Sequence, residues 1–224
     1  MLNKPDLSEP LRIDIVSDVV CPWCVVGYRQ LQQALAETGV RATVQWHPFE
    51  LNPNMPPEGQ NLREHIIEKY GTTPEQSQIA RDHLVQIGAG LGFTFGFNET
   101  SRMVNTFLAH QLIEWADEQG RQNDVKLALF QAYFTDARDV SDIATLVDVA
   151  TELGLDGDAA RAALEGEHMA WNVRTMLKFW IDKGVRGVPA MVFDKKHLVS
   201  GAQGAENYTT LLRKLRPALK VTTH

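Results

Sequence analysis

The chain has 224 residues, 44% hydrophobic and 22% charged, so it is long enough to bury a sizeable core and has the composition of an ordinary globular protein. Its net charge of −6 and scattered basic residues weigh against nucleic-acid binding, and no stretch approaches the roughly 18 apolar residues of a membrane span. The opening MLNKPDLSEPLRIDIV has no apolar run behind a basic start. It predicts no secretory leader and a cytoplasmic location, where thiols are kept reduced.

The first predicted element is a buried strand, LRIDIV, from Leu11 to Val16. After the stretch CPWC, apolar residues at Val25, Val26, Tyr28, Leu31 and Leu35 recur at helical spacing, and Gly39 supplies a stop. VRATVQWHPFEL alternates and predicts a second strand, followed by a proline-rich loop, NPNMPPEGQN. Asn61 with Glu64 resembles a capping box at the head of a helix ending at Gly71, and Thr73, Pro74 and Gln76 open another. Met103, Val104, Phe107, Leu108, Leu112 and Trp115 share a helical face. Further helices fit QNDVKLALFQAYFTDA, Ser141–Leu153, Asp158–Glu165 and His168–Lys183, with Trp171, Phe179 and Trp180 read as core of the last.

Strand signal returns only in GVPAMVFD and HLVSG, close enough for a hairpin across Lys195 and Lys196, before a closing helix from Ala205 to Leu219. Its basic residues Arg213, Lys214, Arg216 and Lys220 read as a solvated face. The layout predicts an α/β protein in which residues 10–59 and 184–220 form one domain and residues 60–183 an inserted all-helical one.

Cys21 and Cys24 are the only cysteines, three apart at the first strand-to-helix junction. A zinc site needs about four ligands, and neither a second cysteine pair nor a suitable histidine pair is present, so no metal is expected. Two inert core thiols are the bland alternative. A redox dithiol explains the spacing: the first sulfur meets the positive end of the helix, which favours the nucleophilic thiolate, and the second lies one turn along the same face. Pro22 suits the first turn, with Trp23 completing the motif. On this reading Cys21 attacks a partner disulfide and Cys24 resolves the mixed disulfide. Pro189, entering a strand after Val188, is a place where a cis bond can occur.

SDVVCPWC, FELNP, FGFNETSRMVNTFLAH, GVPAMVF and VSGAQ together resemble the FrnE-type branch of the DsbA family of thioredoxin-like oxidoreductases, over about residues 10–219. The resemblance implies a thioredoxin-like fold with a helical insertion and a cis Val188–Pro189 bond against the dithiol. It also implies that the Val188 backbone pairs with an extended partner segment. The expected partners are protein or small-molecule thiols and disulfides, with glutathione as a candidate co-substrate and no other cofactor. DsbA has histidine where this chain has Trp23, which predicts a less acidic Cys21 and a less oxidising disulfide. The position six before Cys21, a buried acid in many relatives, is Ile15; alternation along the strand turns Asp14 and Asp18 away, leaving the proton acceptor for Cys24 open.

The main alternative is a glutathione-dependent isomerase or transferase similar to 2-hydroxychromene-2-carboxylate isomerase, a group that generally carries serine where Cys21 stands. A binding protein using the apolar rim of Trp23 and Pro189 is a third reading. Asn105, Thr106 and His110 fall on a helix able to face the cleft between the domains, though the preferred reading is a helix start with ordinary polar exposure; His47, a catalytic-base candidate by residue type, is read instead as a partly exposed strand-end residue.

Overall fold

The computed structural model describes residues 9–217. Leu219 and Lys220, at the end of the expected closing helix, and the first eight residues of the leader reading lie outside that range.

Strand β1 (Leu11–Ser17) leads into helix α1 (Pro22–Thr38), which Gly39 ends in the left-handed conformation, its N–H closing on Leu35. Strand β2 (Ala42–Pro48) returns parallel to β1 in the register Ile15 to Trp46. The chain then departs through β3 (Gln60–Asn61), α2 (Leu62–Tyr70), α3 (Pro74–Gly90), β4 (Arg102–Met103), α4 (Phe107–Asp117), α5 (Gln122–Phe134), α6 (Ile143–Glu152), α7 (Gly157–Glu165) and α8 (Ala170–Asp182). It re-enters with β5 (Ala190–Phe193), antiparallel to β1, then β6 (His197–Ser200) and α9 (Ala205–Leu215). The main sheet has the order β2-β1-β5-β6. Asp194 and Lys195 both take positive φ in the turn closed by Lys196 N–H on Phe193, within the three-residue connection that pairs Phe193 with His197.

The insertion is not purely helical as expected. Gln60 and Asn61 pair antiparallel with Met103 and Arg102, a ladder too short to leave a period-two pattern. Asn61 caps α2 by accepting from the N–H groups of Arg63 and Glu64, and Thr73 with Gln76 forms a full capping box on α3.

A single apolar cluster runs from β1 and α1 through Trp46 into α4, α5 and α6, so the insertion shares its core with the sheet. Gln122 of α5 completes the free edge of β2, accepting from the Trp46 N–H at 2.8 Å and donating to the Trp46 carbonyl at 3.1 Å. Asn123 beside it accepts from the Trp46 indole and the Tyr28 hydroxyl. Truncating an anchor such as Trp46 to alanine costs about 3–5 kcal/mol.

One expectation for the core fails. Trp180 is buried against His47, but Trp171 is 74% exposed and Phe179 43% exposed. Helix α8 meets its neighbours through Val173, Met176 and Trp180. Trp171 lies two residues before Val173, about 200° around the helix, and so faces away. On α9, Arg213 is paired with Glu37 rather than merely solvated.

Candidate active site

The dithiol sits where β1 hands over to α1. Cys21 is the N-cap residue, with extended backbone and Pro22 following at the first helical position, and Cys24 N–H closes on the Cys21 carbonyl at 3.1 Å. Neither sulfur is in a disulfide, and both are buried. Cys21 is 3% exposed and Cys24 wholly enclosed, with Trp23, 42% exposed, forming the rim. The Val188–Pro189 bond is cis, and the Cys21 S–H donates to the Val188 carbonyl at 3.6 Å. Gly27 lets α1 close over this turn: a Cβ there would lie 3.2 Å from Pro189 Cγ. Cys21, Pro22, Trp23, Val188 and Pro189 are therefore brought together.

Behind the sulfurs is a closed pocket of charge that the sequence reading missed. Asp18 is fully buried; one carboxylate oxygen accepts from Leu51 N–H at 2.7 Å. Its other oxygen, 3.4 Å from His110 Nε2, has no hydrogen-bond partner, because that nitrogen lies nearer the Phe49 carbonyl, at 3.0 Å. Alternation could not place Asp18, since β1 ends at Ser17 and the chain turns before the helix. Lys126 of α5 is also enclosed, its ammonium 5.3 Å from the Trp46 ring and 4.8 Å from that of Phe130. A lysine within the apolar stripe of Val125, Leu129 and Phe130 was the available signal. Thr106 and His110, expected to be exposed, are buried, because α4 packs its first turns against the β2 exit; Asn105 instead caps Phe107 N–H. Asp14, by contrast, pairs with Arg12 and His47.

These groups set the ionisation of the pair. Burial opposes a charge on Cys24, but hydrogen bonds from Cys21 and Ser17 and the Lys126 ammonium outweigh it and hold this thiol below its ordinary range. Cys21 is raised in turn, first by its hydrogen bond to Cys24 and then by burial. The two protons therefore leave in steps that belong to the pair. Burial lowers Lys126 to about 8, against the pull of Cys24 and Asp18. Burial pushes His110 down and raises the half-buried Glu50 to about 7.

In front of Cys21 opens a cleft of about 350 Å³ between the β1–α1 junction and helices α2 and α3. Leu51, Ile66, Leu84, Phe97, Met103 and Phe134 are among the apolar residues of its wall. Cys21 lines it; Cys24 does not. Among the described residues no cluster of histidine, cysteine and carboxylate side chains has the arrangement of a metal site, and no helix is long and apolar enough to cross a membrane.

A four-stranded sheet carrying a dithiol at its first strand-helix junction, opposite a cis proline and interrupted by helices, defines a thioredoxin-like protein with a helical insertion. The chain belongs to the DSBA-like thioredoxin domain family, whose family model matches residues 12–213. It superposes on a probable DsbA oxidoreductase from Streptomyces coelicolor with a TM-score of 0.87 and 34% identity, covering 92% of this chain and 89% of the other. YwbO of Bacillus subtilis is 27% identical over 197 residues, 88% of this chain and 92% of that protein. The cytosolic disulfide reductase DsbM of Pseudomonas aeruginosa, in a structure with GSH, shares the fold at a TM-score of 0.63 and 17% identity, over 91% of this chain and 98% of that one.

Proposed function

We propose that the protein is a thiol-disulfide oxidoreductase of the FrnE-type branch, working in the cytoplasm and exchanging the Cys21–Cys24 disulfide with protein or small-molecule thiols. One observation carries the reading: two sulfurs one helical turn apart, of which only Cys21 reaches the cleft beside Val188. As a reductant, the pair loses its first proton most readily from Cys24; a shift of the shared proton from Cys21 to Cys24 then frees Cys21 to attack the partner's disulfide. The Cys21–partner bond forms and the partner's other sulfur leaves. Cys24, deprotonated again beside Lys126, attacks Cys21, closing the protein disulfide and releasing the reduced partner. Oxidation of a partner dithiol is the reverse. The Val188 backbone would hold an extended partner segment, and glutathione, present with the related DsbM fold, is the proposed small-molecule co-substrate.

The test is a redox titration in glutathione and dithiothreitol buffers, following the cysteine pair by alkylation. A reversible two-electron transition between about −270 and −120 mV is expected, the span from thioredoxin to DsbA. Failure of Cys21 and Cys24 to form an intramolecular disulfide under oxidising buffer would contradict the reading. Because an isomerase has no need of the second sulfur, full activity of a Cys24→Ser variant in a glutathione-dependent isomerase assay would favour that alternative.

A further inference from the structure

The protein carries six more acidic than basic residues, yet no aspartate or glutamate lines the cleft in front of Cys21. Its charged lining consists of Lys69 and Arg81. Arg81 lies over the Phe97 ring at 5.8 Å and, among the described residues, has no carboxylate at ion-pair distance; Asp82 and Glu99 act on it only from further away. Lys69 gives N–H groups to the Leu51 carbonyl at 2.8 Å and to Asn52 Oδ1 at 2.6 Å. Asn52 Oδ1 also meets His65 Nε2 at 3.0 Å, which turns the amide so that Nδ2 is buried with no partner. Thr72 Oγ1, also on the cleft wall, is a second buried polar atom without one.

Buried polar atoms without partners are uncommon in folded proteins, and a bound polar group is one way to complete them. Here the unmet groups are the Asn52 amide, the Thr72 hydroxyl and the Arg81 guanidinium, set in an apolar wall within the size range of small-molecule sites. The complementary molecule has an apolar body, a negatively charged acceptor for Arg81, and a sulfur that reaches Cys21. We propose that this cleft is a binding site for low-molecular-mass thiols bearing a carboxylate and an apolar body, with Arg81 as the residue that selects the acid. The inference rests on the oxidoreductase reading and names a substrate class for it.

The exchange balances. The ligand thiolate attacks Cys21 Sγ, the Cys21–Cys24 bond breaks, and Cys24 leaves as the thiolate. A second ligand thiolate attacks the ligand sulfur of the mixed disulfide, releasing the oxidised ligand dimer and the Cys21 thiolate. Two ligand thiols are oxidised to one disulfide, the protein disulfide is reduced, and the two ligand protons end on the cysteines.

The test compares reduction of the oxidised protein by mercaptooctanoate and mercaptooctanol, which match in chain length and thiol acidity, with dithiothreitol as an uncharged control. The acid is expected to react about tenfold faster than the alcohol at low concentration, a preference that shrinks as salt is raised. Arg81→Gln is expected to bring the two rates within about twofold, and Arg81→Lys to keep most of the preference. Equal rates for acid and alcohol in the native protein, or an undiminished preference in Arg81→Gln, would overturn the proposal. If dithiothreitol itself leaves the Cys21–Cys24 disulfide intact, it is the oxidoreductase reading that fails.

Discussion

The two sulfurs of the motif stand one helical turn apart and face opposite surroundings. On the Cys21 side lies an open, mostly apolar cleft with no carboxylate and two cations. On the Cys24 side lies a sealed pocket where Asp18, His110 and Lys126 are all buried. The division teaches how a single CxxC supports two roles: access decides which sulfur meets a partner, and enclosed charge decides which sulfur is readily ionised. The sheet supplies the dithiol and the cis proline, whereas the insertion supplies both environments, α2 and α3 in front and Lys126 and His110 behind.

Replacing the sulfurs one at a time breaks the comparison most severely. Cys21→Ser is expected to lower exchange with disulfide substrates by about three orders of magnitude or more. Cys24→Ser is expected to halt turnover just as effectively while leaving Cys21 able to attack, so that mixed disulfides accumulate; intact-mass measurement after incubation with oxidised glutathione separates the two. Adduct formation in Cys21→Ser but not in Cys24→Ser would reverse the assignment.

Lys126 sharpens the comparison from the buried side. Lys126→Met removes the cation that favours the Cys24 thiolate, so the first thiol ionisation moves upward, read by ultraviolet thiolate absorbance against pH. The same variant has a stability signature. The unfolded chain keeps the Lys126 proton up to about 10.5, whereas the folded protein releases it near 8. Unfolding therefore takes up protons between these values, and the contribution of Lys126 to stability rises with pH across that window by roughly 3 kcal/mol. Denaturant titrations at pH 8 and above should show this rising limb in the native protein and lose it in Lys126→Met, where a packed apolar side chain is tolerated.

The sequence was informative where a covalent spacing or a local backbone rule set the outcome. Cys21, Cys24, Pro22 and Pro189 announced themselves, as did the caps at Asn61 and Thr73 and the order of strands around the insertion. What stayed hidden depended on how distant helices come together. Lys69 and Arg81 sit on α2 and α3 respectively, where no motif or spacing marks them, and only the closure of those helices over Cys21 turns them into a cleft wall. Asp18 escaped because strand alternation was carried one residue past the end of β1. Trp171 failed the other way: size and apolarity suggested core, but the packing of α8 leaves it in solvent.

The most direct measurement is competitive labelling of the reduced native protein with substoichiometric iodoacetamide, followed by fragment-ion mapping of the peptide that carries both cysteines. The account predicts modification at Cys21 with Cys24 almost unlabelled, since only Cys21 opens to the cleft. Equal labelling, or preference for Cys24, would contradict the division of roles on which the mechanism stands.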